Sequence, residues 1–127
     1  MAFTHTIGRS WASGGLSLSS SKAYSASAEY NFTEAILAVA DTEVACVLDV
    51  SEIKSVFIVC DEDIKMETNN GGAPDETIDL LADEPYVWHT DSYYVNLLSV
   101  NITALFFTNT SGNTATVQFR CLVDSTP

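Results

Sequence analysis

Apolar and polar residues alternate along the first quarter of the chain. From Phe3 to Trp11 every second residue is large, with threonine, glycine or serine between, and this period of two predicts a half-buried β-strand. Gly14 and Gly15 interrupt the pattern. The stretch LSLSSSKAYSASAEYNF then resumes it, with these residues at every second position: Tyr24, Ala26, Ala28, Tyr30 and Phe32. This regularity favours strands over a disordered linker.

Short apolar runs separated by turn residues predict eight further strands. They span residues 35–40, 43–50, 55–60, 64–68, 77–81, 86–90, 100–108 and 114–123. Many short strands at this spacing are typical of a sandwich or jelly roll. We therefore predict an all-β fold: a single antiparallel β-sandwich, jelly-roll-like, that forms one domain over residues 1–127 and carries an extended N-terminal arm.

The last two predicted strands are expected to form a hairpin. Five residues from Asn109 to Asn113 lie between them, and Gly112 can take the positive φ that a tight reversal needs. Alternation would place Val117, Phe119 and Cys121 on one side, and Gln118, Arg120 and Leu122 on the other.

The three cysteines, Cys46, Cys60 and Cys121, each lie inside an apolar run. An odd count without close CxxC spacing argues against a disulfide framework and against a zinc site. We therefore predict reduced core residues. The start of the chain lacks the apolar stretch of a secretory signal, and no run approaches the roughly 20 apolar residues that span a bilayer. We expect synthesis in a reducing cytoplasm and no membrane partner.

Charge is distributed unevenly along the chain. The first acid is Glu29, so residues 1–28 carry a charge of +2, from Arg9 and Lys22. The remainder carries all seventeen acids against three basic residues, a charge of −14, which gives the net charge of −12. Such an acidic chain would be repelled by a polyphosphate backbone, so no nucleic-acid partner is expected. The acid-free segment has two interpretations: a polar strand without acids, or an arm, residues 1–22, that attaches to an acidic neighbour.

The stretch DEDIKMETNNGGAPDETIDL, residues 61–80, looks most like a ligand-binding loop. Its start matches a helix-loop-helix calcium loop at two acidic positions, but Lys65 stands at the fifth ligand position and Gly72 at that of the bidentate glutamate. No phosphate-binding glycine pattern occurs. We interpret the stretch as a hairpin turn in which residues 69–72 tolerate left-handed geometry. A looser calcium site within residues 69–79 stays open as an alternative, and no cofactor is predicted.

The segment WHTDSYY contains His89, Asp91 and Ser92, the residue types of a nucleophilic triad. In a strand His89 and Asp91 would face one side and Ser92 the other, and no GxSxG motif accompanies them, so we predict no enzyme. His5 and His89 alone make a weak case for a metal site. Trp88 is expected in the core.

Five residues are candidates for a protein interface: Arg9, Trp11, Lys22, Tyr93 and Tyr94. Arg9 and Lys22 are the cations of the proposed arm. Tyr93 and Tyr94 are adjacent, so in an extended segment their side chains point to opposite sides and one can be exposed. Exposed aromatic residues anchor protein interfaces, and they also stack on sugars.

Residues 46–127 resemble the small β-rich virion proteins of tailed bacteriophages, most closely those assigned as capsid decoration, or cement, proteins. Four motifs carry the resemblance: DVS-IK from Asp49, TN-G from Thr68, P--W from Pro85 and T-L--TN from Thr103, followed by VDSTP at the end. These motifs are structural and not catalytic. The first 28 residues match least well.

The resemblance implies a β-sandwich subunit that assembles, often as a trimer, on the preformed shell of the major capsid protein. It would lie on the capsid exterior of the virion, after synthesis in the host cytoplasm, and would reinforce the shell without an active site. The alternative is a component of the tail or baseplate, including a carbohydrate-binding module that uses Trp88 or Tyr93.

Overall fold

A computed structural model describes residues 2–124, and the chain in this range forms ten strands and one short 3-10 helix. The strands are β1 Phe3–Ser13, β2 Leu16–Ala26, β3 Ala28–Ile36, β4 Thr42–Leu48, β5 Ile53–Cys60, β6 Ile64–Thr68, β7 Thr77–Leu80, β8 Tyr86–His89, β9 Ile102–Thr108 and β10 Ala115–Val123. The 3-10 helix is Val50–Glu52, and Asp49 caps its N-terminus by accepting the Ser51 N–H. Met1 and the end of the predicted domain, residues 125–127, lie outside the described range.

Strands β3 to β10 make two packed sheets of four strands each. The front sheet has the order β3-β10-β5-β8, and the back sheet has the order β4-β9-β6-β7. All neighbouring strands in both sheets are antiparallel. The prediction of an all-β antiparallel sandwich is confirmed. The strand order is compatible with jelly-roll connectivity, which stays a prediction.

The core lies between the inner faces of the two sheets. Phe119 and Val56 of the front sheet and Phe107 and Leu105 of the back sheet are completely buried in it. The ring of Phe32 stacks on Phe119 with centroids 4.8 Å apart. Alternation along each strand explains this arrangement, because residues at every second position share one face of a sheet.

Most predicted strands agree with the observed ones, but the predicted strand at residues 35–40 is wrong. The chain leaves β3 at Ile36 and turns, with the Val39 N–H bonded to the Leu37 carbonyl and Asp41 at a φ of 56°. The alternation predicted through residues 24–32 is also divided, because β2 ends at Ala26 and β3 begins at Ala28.

The predicted hairpin at residues 100–123 is wrong as well. Strand β9 pairs with β4 and β6 in the back sheet, whereas β10 pairs with β3 and β5 in the front sheet. The connection therefore crosses from one sheet to the other. Gly112 does take a positive φ, of 85°, and Val117, Phe119 and Cys121 face the core as predicted.

The crossing depends on Asn109, whose side chain is 2% exposed. Its Nδ2 donates to the carbonyl oxygens of Ile36 at 3.0 Å and Asn113 at 2.8 Å, and its Oδ1 accepts from the N–H and hydroxyl of Ser111. The Asn109 amide thus supplies hydrogen-bond partners for polar groups of the turn and connects the turn to the end of β3. A turn held in this way directs the chain into the second sheet instead of back along the first.

The prediction of buried, free cysteines is confirmed for Cys46, Cys60 and Cys121. Burial raises the pKa of the Cys46 thiol to about 11 and that of Cys121 to about 12. Both thiols therefore stay protonated at neutral pH, and a protonated, enclosed thiol is a poor nucleophile.

Replacement of Asn109 by alanine should destabilise the sandwich, because the Ile36 carbonyl loses its buried donor. We expect a loss of about 1–3 kcal/mol in the free energy of unfolding, the usual cost of an unsatisfied buried polar group. Chemical denaturation measures it. The neighbouring exposed Thr110 supplies the control, since Thr110→Ala should change stability by about 0.5 kcal/mol or less. Equal effects of the two variants would contradict the role assigned to Asn109.

Candidate functional site

The N-terminal segment is a long two-stranded hairpin that forms its own sheet. Strands β1 and β2 pair antiparallel along their whole length, from Phe3 opposite Ala26 to Ser13 opposite Leu16, with Gly14 at a φ of 58° in the turn. We call residues 3–26 the N-terminal hairpin and residues 28–124 the body. The expected arm was residues 1–22, and its end at Lys22 lies within β2. The structural unit is therefore the hairpin of both strands.

The base of the hairpin packs on the outer face of the front sheet. Strand pairing places Glu29, Leu122, Ser55 and His89 in one row across that face. Leu122 points away from the sandwich core, yet it is completely buried. Ile7 is the hairpin residue buried at this contact, which we call the seam. Burial of these two side chains outside the core supplies the apolar part of the seam.

Polar side chains hold the two ends of the row. His5 Nε2 lies 2.7 Å from Glu29 Oε2, and Lys22 Nζ lies 2.6 Å from Asp91 Oδ2. The lysine and aspartate side chains are more than half exposed, so this ion pair contributes little on its own. Together the two contacts fix the register of the hairpin on the sheet.

A tyrosine connects the hairpin to both His89 and Asp91. The Tyr24 hydroxyl donates to Asp91 Oδ2 at 3.1 Å and lies 3.0 Å from His89 Nδ1. The Tyr24 ring also stacks on the His89 ring, with centroids 5.2 Å apart. Since its single proton goes to Asp91, the hydroxyl oxygen can accept the Nδ1 proton of His89.

Arg9 makes the outermost contact of the seam. Its Nη2 donates to the Tyr94 hydroxyl at 3.2 Å, and that hydroxyl donates in turn to the Val87 carbonyl. The Trp88 indole Nε1 donates to the Tyr94 carbonyl at 3.0 Å, so the backbone around Tyr94 is also held. Trp88, which was expected in the core, is partly buried and packs against it.

Hydrogen bonds and burial shift the pKa values of the titratable side chains at the seam. The hydrogen bond from Lys22 lowers the pKa of the Asp91 carboxyl, and the hydrogen bond to Asp91 raises that of Lys22. The hydrogen bond with His5 lowers the pKa of Glu29. Burial lowers the pKa of His89, and the positive charge of Arg9 lowers it further. At neutral pH the acids are therefore ionised, and the imidazole of His89 is neutral.

Ser92 is a turn residue next to this cluster. Its hydroxyl accepts the backbone N–H of His89 at 2.9 Å, and its own N–H donates to the His89 carbonyl. The imidazole faces Tyr24 instead. The Ser92 hydroxyl thus stabilises the end of β8. The His89 ring contacts Tyr24, so it is not placed as a general base on the Ser92 hydroxyl.

Hydrogen bonds of Asn69 and Asn70 stabilise the loop at residues 69–76. Strands β6 and β7 pair antiparallel on either side of it, as predicted, and Asn69 takes a φ of 70°. Asn69 Nδ2 donates to Asp75 and to the Asn101 carbonyl, and Asn70 Oδ1 accepts the N–H of Gly72. Within residues 2–124 no group of three or more His, Cys, Asp or Glu side chains is placed to hold a metal ion.

The far half of the hairpin projects from the body. All residues from 8 to 23 are exposed, although Arg9 and Lys22 still reach the seam. Beyond Arg9, Trp11 lies opposite Leu18, so both share the face that carries Ile7. Trp11 is 53% exposed, and Leu16 and Leu18 are 70% and 71% exposed. Residues 10–19, which we call the tip, contain no charged side chain.

A second apolar surface lies beside the seam in residues 93–97. Tyr93 is fully exposed, and Val95 and Leu97 are mostly exposed. The loop is nevertheless well anchored: the Glu76 carboxylate accepts the N–H groups of Ser99 and Val100. Tyr93 borders an open cavity of about 340 Å³ between the hairpin and the body.

The five predicted interface residues therefore fall into two groups. Arg9, Lys22 and Tyr94 make intramolecular contacts at the seam although they are exposed, while Trp11 lies on the tip and Tyr93 on the adjacent loop. Sequence reasoning missed four partners in the seam: His5, Tyr24, Glu29 and Asp91. It also missed Leu16 and Leu18, although the alternation of LSLS places both in phase with Tyr24.

No protein-family model matches this chain, and neither a curated protein nor a solved structure shows significant similarity to it. In the part of the chain that the structure describes, no helix has the length and hydropathy to cross a membrane.

The pKa of His89 should lie below 6.5, its ordinary value, and should respond to the charges of Arg9 and Asp91 in opposite directions. Arg9→Gln should raise it, because a repelling charge is removed, and Asp91→Asn should lower it, because an attracting charge is lost. Titration of the imidazole carbon-bound proton by NMR gives the midpoint. An unchanged midpoint in both variants would contradict this arrangement.

The same shift makes the seam sensitive to acid. In the unfolded chain His89 takes up its proton near pH 6.5, whereas in the folded protein, with the hairpin packed on it, the His89 ring is protonated only at lower pH. The contribution of His89 to stability is therefore complete above pH 6.5, falls as pH drops below this value and is lost once His89 is protonated in the folded protein. The hairpin should become more accessible to trypsin at Lys22 over this interval.

Proposed function

We propose that this chain is a non-enzymatic structural protein of a bacteriophage virion, and specifically a capsid decoration protein. It would bind the assembled shell of the major capsid protein from the outside. One observation supports this above all others: the hairpin tip presents Trp11, Leu16 and Leu18 on one face without any cover from the body. Exposed apolar patches of this kind mark sites of association.

The architecture of the tip supports an adhesive function. An isolated two-stranded hairpin is only marginally stable in water. The base of this hairpin is held by the seam, but the tip, residues 10–19, extends beyond those contacts. A neighbouring surface that covers Trp11 and Leu18 would order the tip and remove apolar area from water. Trp and Leu side chains in such a contact can supply most of the binding free energy.

Decoration requires no reaction, only an affinity for the assembled state. A subunit that binds the shell and not the free capsid protein stabilises the shell by mass action, and many copies multiply the effect. The acidic body, with its charge of −14, keeps free subunits soluble before they attach. The uncharged tip avoids repulsion at the contact itself.

Attachment should depend on the apolar side chains of the tip. We expect the double variant Trp11→Ser with Leu18→Ser to bind tenfold or more weakly to particles that lack the protein, since a loss of about 1.4 kcal/mol is tenfold. Cosedimentation with particles of the phage that encodes the chain measures this binding. Leu81→Ser is the matched control, because Leu81 is similarly exposed but lies on the body. Equal binding by the tip variant and the wild type would refute adhesion through the tip.

A tail or baseplate protein that binds carbohydrate is a second candidate, and Tyr93 supports it. Its ring is fully exposed at the border of a cavity of about 340 Å³, whose lining also includes Arg9, Ser20 and Ser92. An aromatic ring beside hydroxyl and guanidinium groups can stack on a sugar and hydrogen-bond to it. Images of the particle decide between shell and tail.

Under this second candidate, Tyr93→Ala should abolish binding on a glycan array, because the stacking surface is removed. Val95→Ala is the control, since Val95 is exposed on the same loop but does not line the cavity. A wild-type chain that binds no glycan on the array would exclude the carbohydrate candidate and leave the decoration proposal unaffected.

A further inference from the structure

The connection between the hairpin and the body consists of a single residue, Ser27. Neither glycine nor proline occurs in the hinge Ala26-Ser27-Ala28, and none of its residues takes a positive φ. Other reversals in the chain do use such geometry, at Gly14, Asn69 and Gly112. The hinge therefore contains no residue that commits the backbone to a turn.

The alternation on both sides of the hinge has the same phase. The aromatic residues Tyr24, Tyr30 and Phe32 all stand at even positions, as a single straight strand requires. Residues of β2 and β3 can thus continue through Ser27 as one strand without a shift of register. The side-chain phase is therefore also compatible with a straight strand through Ser27.

The seam is suited to opening and re-forming. No backbone ladder joins the hairpin to the body, because the hairpin is a separate sheet within the described chain. Side chains alone hold it: Ile7 is the one residue of 3–26 that is buried. Every side-chain bond described above between hairpin and body has an ionisable group at one end, as in His5 to Glu29 and Lys22 to Asp91.

The docked hairpin also fits imperfectly. A cavity of about 230 Å³ lies between Ile7, Ser55, Phe57 and Arg120. The Ser55 hydroxyl beside it is buried without a hydrogen-bond partner, whereas nearly all such groups in proteins are paired. The apolar contact of the seam is therefore limited to a few side chains around Ile7 and Leu122, with unfilled space beside them.

We propose that the N-terminal hairpin is exchanged between copies of this chain. Ser27 straightens, β2 and β3 become one continuous strand, and residues 3–26 dock on the outer front-sheet face of a second copy. Lys22 then pairs with Asp91 of the partner subunit, and Tyr24 contacts His89 of the partner subunit. The interaction surface is the row around Leu122 and Ser55, and its occupant is the hairpin of another copy.

Exchange keeps the seam contacts that are distant in sequence from the hinge, so it has little energetic cost apart from that of association. Exchange also keeps the charge complementarity of the contact, because the acid-free hairpin of charge +2 meets a body of charge −14 in either arrangement. The short hinge favours exchange, since short connections promote swapping. This inference rests on the hinge and the seam, and it holds whichever surface the tip binds.

Carbodiimide cross-linking tests the exchange directly, because it joins a lysine to a carboxylate only when they are in contact. Lys22 and Asp91 are 2.6 Å apart, so an amide should form between them. If the hairpin is exchanged, the peptide that links residues 22 and 91 appears in the covalent dimer or trimer band of a denaturing gel. Light scattering of the untreated protein should then give the mass of an oligomer.

The controls separate exchange from other association. Lys22→Ala should remove the link, whereas Lys65→Ala should keep it. Insertion of four Gly and Ser residues after Ser27 should shift the protein towards a monomer, while the same insertion after Gly15, at the tip, should not. The proposal is overturned if the 22–91 link appears in the monomer band, if no such link forms, or if the untreated protein is a monomer. Loss of shell binding without loss of the link would affect only the proposed function.

Discussion

The packing of two sheets through their inner faces determines the rest of this molecule. Once Phe119, Val56, Phe107 and Leu105 meet in the core, alternation fixes which residues of the same strands point outward. On the front sheet these include Leu122, next to Cys121 and opposite in direction to it. An outward, fully buried leucine requires a cover, and the hairpin supplies it. The position of the hairpin is thus a consequence of the core.

Much of the fold follows from local patterns, because alternation and turn residues act over a few positions. The pair β6 and β7 and the core face of β10 are predictable for that reason. The partner of β9 is not, since Gly112 permits a tight turn but does not determine which sheet follows. That choice depends on Asn109, whose amide reaches Ile36, 73 residues away in the sequence. No spacing rule reveals a contact of this kind.

The candidate site, too, is predictable from the sequence only where local patterns determine it. Charge distribution identifies Arg9 and Lys22, because they are the only charged residues before Glu29. It does not identify their partners, since Lys22 and Asp91 are separated by 69 positions and Arg9 and Tyr94 by 85. The sequence suggested an acidic neighbour for these cations, and for Lys22 one such neighbour is Asp91 of its own fold. The apolar tip is predictable in part from Trp11, and Leu16 and Leu18 lie on the same face of the hairpin as Trp11.

The hairpin therefore has two halves of different chemistry. At its base, the Lys22–Asp91 ion pair and His89 make a contact that weakens with acid and, where it is exposed, with salt. At its tip, Trp11, Leu16 and Leu18 make a surface without charge, whose burial is largely insensitive to both. Under the two proposals, the base would hold a second copy and the tip would bind the shell, and different conditions would weaken each contact. The separation corresponds to the positions of Arg9 and Lys22, which contact the body at the seam and leave the tip uncharged.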